Sequence, residues 1–349
     1  MRIMLSLIAF SFSCTRSPSE NKQPAIPVKV VVVTMFERGN DSGDQAGEFQ
    51  LWVERLPLPD TLSFPQGYRD LRFNPETEVL GMVTGVGSLR AAASIMALGM
   101  DTRFDLSKAY WMVVGIAGVD PEDASVGSAV WAEWVVDGDL AHEIDAREIP
   151  VEWPTGFFPL GKHLPYQEPT SVSDRDAVFQ LNPALVEWAY QLTKNTDLPD
   201  QEALQMIRKD YVNHPKAQMP PHVLKGDQLS AMTFWHGKYL NDWANQWMQY
   251  WTQGKGNYVT TAMEDSGTLQ ALQFLHKVGR ADKERVLVLR TASNFSMPHE
   301  GITAVESMQN ENEGYSAYLL ALEAAWLVGS EVVKEITDKW NQYEHELPE

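Results

Sequence analysis

"VVGIAGVDPEDASVGSAVWAEW" (residues 113–134) opens as an apolar strand, breaks at Gly115 and Gly118, crosses an acidic loop and resumes as a second strand. An apolar run of this kind is what a strand buried in a sheet looks like. Two glycines so close to its carboxyl end mark a backbone that something must approach closely. The stretch therefore sets two expectations, a layered α/β core and a ligand site at the end of one of its strands.

Outward from this stretch the same texture recurs. "VKVVVVTMF" (28–36) is a continuous β-branched run, and "EVLGMVTGVG" (78–87) leads into "SLRAAASIMALGM" (88–100), whose alanines suit a helix packed closely on a sheet. "AYWMVVGIAG" (109–118), "SAVWAEWVV" (128–136), "HEIDAREI" (142–149) and "RVLVLRTAS" (285–293) continue the strands. Strands alternating with helices argue for an α/β domain with crossover connections. Between about 150 and 257 the chain turns rich in proline and tryptophan, which reads as a helical insertion in a single domain spanning 26–349. Within it "FWHGKYLNDWANQWMQYW" (234–251) spaces Trp235, Tyr239, Trp243, Trp247 and Trp251 four apart, along one side of a helix, as an aromatic core stripe or a wall for a planar ligand. Trp153, Phe157 and Phe158 are candidate wall residues if the insertion closes over a pocket as a lid. A helix is expected to start at Glu264 to Ser266, and "GYSAYLLALEAAWLVGSEVVKEITDKW" (314–340) reads as a long amphipathic helix. No repeat with a period of about 20 to 50 residues is visible, which argues against a solenoid.

Composition narrows the function. With 28 Lys plus Arg against 47 Asp plus Glu the net charge is −19, so the surface should repel nucleic acid and anionic lipid. The first 20 residues carry Arg2, an apolar run from Ile3 to Phe12, small residues and then Cys14, the order of an export signal with a cysteine where a lipid-modified one would follow cleavage. The expected location is exported, periplasmic or lipid-anchored at a membrane surface. Cys14 is the single cysteine, so no internal disulfide can form. Past this segment no run of roughly 18 apolar residues occurs. The eight histidines form no pair at i, i+4 and no zinc signature, so no metal and no cofactor is expected. In "DGDLAHEIDARE" (137–148) strand alternation puts Glu143, Asp145 and Arg147 on one face as ion pairs. A Gly-x-Ser-x-Gly nucleophile elbow is also missing.

Several residues remain as candidates for chemistry. "TGVGSLRAAA" (84–93) sets Gly85 and Gly87 between a strand and a helix, either a plain tight turn or a place where backbone N–H groups meet an anion or a sugar hydroxyl. In "VGIAGV" (114–119) Ala117 and Gly118 form a second such turn, and in open α/β sheets ligands collect outside the strands' carboxyl ends. Met263 offers a soft surface to a sugar face, and Glu264 either accepts two hydrogen bonds from neighbouring hydroxyls or is an acid at a helix N-terminus. Ser293 and Asn294, ending a buried strand, carry groups able to donate to a ring nitrogen.

Taken together, "TMFE", "TGVGSLRAAASI", "VVGIAGVDPEDASVGS", "HEIDARE", "AMEDSGTLQAL" and "RTASNF" resemble the purine nucleoside permease family, in order from about 28 to 298. More distantly they are similar to the nucleoside phosphorylase and nucleosidase superfamily, which implies a three-layer α/β/α sandwich around a twisted mixed sheet. The resemblance implies that Met263 and Glu264, with Gly85 and Gly87 nearby, hold ribose. It also implies that Asn294, Ala117, Gly118 and Tyr239 surround a purine, and that Glu37 orients an attacking water. At the position of Asn294 the nucleosidases typically carry an Asp that protonates the leaving base, which an amide cannot do. Val113 and Ile116 stand where the phosphorylases carry an Arg and a Ser for phosphate, and Arg90 is the candidate replacement.

These readings converge on purine nucleoside binding with N-glycosidic cleavage, using water or phosphate as co-substrate. The rival is a non-catalytic nucleoside-binding component of uptake. A homo-oligomer is compatible with either, and membrane contact would come only through a lipid at Cys14.

Overall fold

The structure, a computed structural model, describes residues 24–167, 177–312 and 317–349. The expected export segment, with Cys14, lies outside the described residues.

Fully buried β-branched residues build the centre: Val30 to Val33 are all 0% exposed. Their strand, Val30–Thr34, runs parallel to Val79–Val83 on one side and to Tyr110–Val119 on the other. Beyond Val79–Val83 the sheet continues antiparallel through Leu71–Asn74 and Asp60–Leu62. The opposite edge of Tyr110–Val119 pairs in parallel with Val286–Phe295, which pairs antiparallel with Ala129–Ala132. The sheet is thus mixed and large, as expected.

One irregularity organises the molecule. The central strand stays beside Val30–Thr34 only as far as Val113, then at Gly118 and Val119 pairs antiparallel with Tyr258–Ala262. From there the sheet runs through Asp227–Ser230 and Trp134–Asp137 to Val178–Gln180. Residues 114–117 therefore have no strand partner on that edge among the described residues, and the sheet is split there. The stretch read as an insertion supplies Val178–Gln180, Val223–Lys225 and Asp227–Ser230 to this same sheet, so it is woven into the core. The strand expected in 142–149 is short, Ala141–Glu143, and the ion pair Asp145–Arg147 at 2.8 Å forms in the exposed turn after it.

Helices cover both faces. Leu289 packs at Gly329 of the helix Tyr318–Asp338, and Thr291 Oγ1 donates to Ala321 O of that helix at 2.8 Å. Between them Arg290 reaches Asp265, at the start of the helix Asp265–Lys277. Successive strand side chains point to opposite faces, so the two helices lie on opposite sides of the sheet and the layering is helix, sheet, helix. Asp265–Lys277 in turn lies against Ser88–Gly99, with Gly267 on the backbone of Ser88 and Gly99 against Leu275.

A Cβ at Gly267 would overlap the Ser88 carbonyl oxygen and carbon, backbone atoms that no rotamer change can move away. Gly267→Ala is expected to destabilise the protein by about 2 kcal/mol or more in urea or thermal unfolding. A value near zero would mean that the two helices are not packed this closely.

Candidate functional site

The split in the sheet creates a polar problem in an apolar place. A buried backbone N–H or C=O without a partner is costly, and the Ile116 edge has no neighbouring strand. Two side chains take over. Glu48 Oε1 accepts from Ile116 N at 2.8 Å, and Arg290 Nη1 donates to Ile116 O at 3.2 Å. Gly115 is what lets them in, because a Cβ there would stand 2.5 Å from Glu48 Oε1 and 2.6 Å from Arg290 Nη1. The first of the two glycines accommodates the protein's own charged groups. The second, Gly118, borders an open pocket, 3.4 Å from Asn294 Nδ2 when given a Cβ.

That pocket holds about 170 Å3 and lies where the strands diverge. Glu48, Arg290, Met263 and Glu264 line it, with Ala117, Gly118, Asn294 and Phe234 also in its wall. Arg290 is 1% exposed and bridges Asp265 through Nη2 to Oδ1 at 2.8 Å and Nε to both oxygens at 3.2 Å, with Glu264 Oε2 at 3.3 Å. Burial opposes its charge, but Asp265, Glu264 and Glu48 outweigh that and hold its pKa above the ordinary arginine range. Glu264 also accepts from Gly87 N at 3.0 Å and Met263 N at 3.2 Å. The glycine turn at 85–87 thus presents its Gly87 amide to the protein's own carboxylate, and neither Gly85 nor Gly87 lines the pocket. Burial raises the Glu264 pKa, against the pull of Arg290 and the Gly87 amide.

The Glu48 pKa is raised as well. Burial pushes its carboxyl up to about 7, with Glu264 adding to the rise and Arg290 and the amides of Ile116 and Met35 opposing it. Its Oε2 accepts from Met35 N at 2.8 Å. Glu37, the carboxylate expected to orient water, is engaged differently. Its oxygens accept from the backbone amides of Arg38, Gly47, Phe49 and Gln50, where it caps the helix Gln50–Arg55, and it does not line the pocket. Of the two acids that follow the strand Val30–Thr34, Glu48 is the one that lines the pocket, and sequence reasoning passed over it because it lies in a loop without periodicity. Arg290 was passed over too, although one cation inside "VLVLRTAS" is a signal in itself, since a buried charge must have a partner.

Asn294 reaches the pocket through a bulge. The pairing of Val286–Phe295 with the central strand runs in register to Ala292 opposite Ala117 and resumes with Asn294 opposite Gly118, leaving Ser293 extra. Bulges re-aim side chains in this way beside sites. Asn294 Nδ2 donates to Phe295 O at 3.1 Å, and Ser293 Oγ stands 3.0 Å from Asn294 Oδ1 and 3.2 Å from Ala117 O, either of which can accept its single proton. Tyr239 is not in this pocket. It is 85% exposed and borders a separate cavity of about 550 Å3, as does Phe157. A four-residue spacing advances a helix by about 40° per step, so a stripe drifts, and Tyr239 has turned away from the buried Trp247 and Trp251. Trp153 and Phe158 pack on each other, centroids 5.5 Å apart, outside the linings of both cavities. For phosphate, Val113 is buried, the Ile116 amide is taken by Glu48, and the Arg90 guanidinium donates to Val86 O at 2.9 Å. Among the described residues no helix is long and apolar enough to cross a membrane, and no group of three or more His, Cys, Asp or Glu is arranged to hold a metal ion.

Comparison with known proteins agrees with the fold. Residues 27–348 match the family described as purine nucleoside permease (NUP). A purine nucleoside permease of Candida albicans is 29% identical over 318 residues, covering 90% of this chain and 76% of that one. A probable purine nucleoside permease of Schizosaccharomyces pombe is 30% identical over 284 residues, 79% of this chain and 80% of that one. Among solved structures, the futalosine hydrolase of Helicobacter pylori superposes with a TM-score of 0.53 at 14% identity, covering 88% of this chain and 98% of the other. The 5'-methylthioadenosine/S-adenosylhomocysteine nucleosidase of Neisseria meningitidis, in complex with methylthio-immucillin-A, gives 0.51 at 15% identity, covering 88% and 99%. The chain belongs to the purine nucleoside permease family and has the nucleoside phosphorylase/nucleosidase fold.

The Glu48 environment has a thermodynamic signature. Its folded-state pKa of about 7 lies above the ordinary carboxyl value of 4.5, so between these values the folded state binds more protons than the unfolded one. The stability Glu48 contributes is full below about 4.5 and is lost as pH rises through about 7. Glu48→Gln removes that titration, so the difference in unfolding free energy between variant and wild type should move in the variant's favour by about 1 to 3 kcal/mol from pH 4.5 to 8. A pH-independent difference would show that Glu48 titrates normally.

Proposed function

We propose that this member of the purine nucleoside permease family binds a purine nucleoside in the pocket at the split of the sheet and hydrolyses its N-glycosidic bond. Ribose would lie against Met263 with its hydroxyls at Glu264, and the base at Asn294 and Gly118. Water oxygen would attack C1′ as the bond from C1′ to the base nitrogen breaks, and the bonding electrons would leave with the base. The water's proton would pass to Glu48, and the departing base would take a proton from solvent while the Asn294 amide hydrogen-bonds its developing charge. Glu264 and Arg290 would favour the positive, oxocarbenium-like ribosyl group through the net negative charge of their cluster.

The observation that carries this reading is the buried Glu48 carboxyl, poised near neutrality in the same pocket as Met263, Glu264 and Asn294. A general base works best with a pKa close to the working pH. Hydrolysis is favoured over phosphorolysis by charge. Arg290 is the one cation among the described residues lining the pocket, and Glu48, Glu264 and Asp265 already surround it, so a phosphate dianion would enter against net negative charge. A second reading, a nucleoside receptor without catalysis that serves uptake, draws on Asn294, whose amide has no proton to give a leaving base. The expected export segment at 1–20 would set either activity outside the cytoplasm.

Incubation with inosine, adenosine and guanosine, with and without phosphate, separates the readings when free base is followed by chromatography and binding by calorimetry. Base is expected without phosphate. Release only with phosphate would overturn hydrolysis, and heat of binding with no base would leave the receptor. In the hydrolase, Glu48→Gln should lower kcat by roughly 100-fold or more with KM little changed. The wild-type kcat/KM should climb with pH and level off above about 7, since Glu48 must be ionised to accept the proton.

A further inference from the structure

The cavity of about 550 Å3 is three times the size of the nucleoside pocket, and the site described so far does not use it. Its position is defined by shared walls. A small pocket of about 20 Å3 lies between them, with Gly118, Phe234, Met263 and Asn294 in common with the nucleoside pocket and Thr233 and Trp235 in common with the large cavity. The order is therefore Glu48 and Arg290, then Asn294, then Trp235, then the large cavity. A purine held at Asn294 with its ribose at Glu264 would direct its far edge at Thr233 and Trp235.

The walls indicate what belongs beyond that edge. Phe157 lies over Trp243 with centroids 4.7 Å apart, and Trp235 meets Trp243 edge-on at 6.1 Å, leaving faces and edges for a further ring. Ile144, Ile149 and Leu240 add aliphatic surface. Trp235 and Trp243 are 8% and 4% exposed, yet their indole N–H groups have no acceptor among the described residues. A buried donor without a partner is costly. A volume of this size falls in the range of about 300 to 1,000 Å3 typical of sites for small organic ligands.

From this arrangement we infer that the large cavity is an extension of the base subsite, which takes an apolar ring or branched chain attached to the exocyclic position of a purine. The inference rests on the nucleoside reading above. The substituent would thread past Trp235 and stack among Phe157, Trp235 and Trp243, while a heteroatom on it could accept from an indole N–H. Unsubstituted purine nucleosides would use the inner pocket alone.

The probe is N6-benzyladenosine, compared with adenosine by kcat/KM, or by calorimetric Kd if neither is cleaved. Two variants fill the cavity away from the nucleoside pocket, Ala146→Trp and Thr155→Trp, both lining residues outside the proposed contacts to ribose and base. Wild type is expected to favour N6-benzyladenosine by about tenfold or more from burial of the phenyl group. The filled variants should lose that preference and keep adenosine within about twofold, and either folded variant suffices if the other fails to fold. Equal or poorer handling of N6-benzyladenosine by wild type, with adenosine still bound, would overturn the extension and leave the nucleoside reading standing. A preference that survives in the filled variants would overturn it as well, because the phenyl group would then lie elsewhere. If neither compound binds, the nucleoside reading fails and the extension with it.

Discussion

The hydrogen-bonding demand of one residue's backbone, Ile116, governs the architecture around the pocket. Where the central strand parts from Val30–Thr34 and has not yet met Tyr258–Ala262, its amide and carbonyl would be stranded in the interior. Glu48 and Arg290 supply the missing acceptor and donor. Everything nearby follows from admitting those two side chains. Gly115 must lack a Cβ, Asp265 must neutralise the guanidinium, and Glu264 must share it while being held by the Gly87 turn. The atoms that meet this structural need are also those of the proposed chemistry, because a buried acid placed to satisfy an amide is an acid whose proton affinity is raised.

The electrostatics are those of a cluster, not of a pair. One guanidinium faces three carboxyl groups, and a buried ion pair gains its attraction only against a large desolvation penalty. Asp265 makes the shortest contact with Arg290, at 2.8 Å. Glu264 shares the cation at 3.3 Å and remains raised by burial. Glu48 faces Arg290 across the Ile116 peptide, one holding its amide and the other its carbonyl, and burial pushes the Glu48 carboxyl up to about 7. Burial is the first cause of the rise at both Glu48 and Glu264, and the Arg290 cation opposes it at each.

How far the sequence revealed this varies with the kind of signal. Strands such as 28–36 and 109–118 were legible because burial on both faces leaves continuous apolar runs, and the helix beginning at Asp265 was legible from its acidic start. Met263, Glu264, Ala117, Gly118 and Asn294 do gather in one pocket, as their motifs implied. Glu37 and Glu48 show the limit. Both are acids following the first strand, and which of them faces the pocket depends on how the loop between them folds back, a long-range property with no periodic trace. The stretch from 150 to 257 shows another limit. Proline and tryptophan made it look separate, but a three-residue strand such as Val178–Gln180 is too short to show alternation, so its place in the sheet could not be read. Tyr239 borders the larger cavity, exposed where Trp247 and Trp251 of the same helix are buried, because each four-residue step turns the side chain by about 40°.

The two side chains that complete Ile116 come from opposite ends of the chain, Glu48 from 68 residues before it and Arg290 from 174 residues after it. Contacts so distant in sequence carry a large loop-closure entropy and are slow to form. The pocket is complete only once Val286–Phe295 is present, and a chain still lacking that strand leaves Ile116 O, on the unpaired edge, without its donor. Such an edge is open to pairing with a strand from another chain. Completion of the C-terminal strand thus has two effects at once: it brings Arg290 to Ile116 and pairs the opposite edge of Tyr110–Val119.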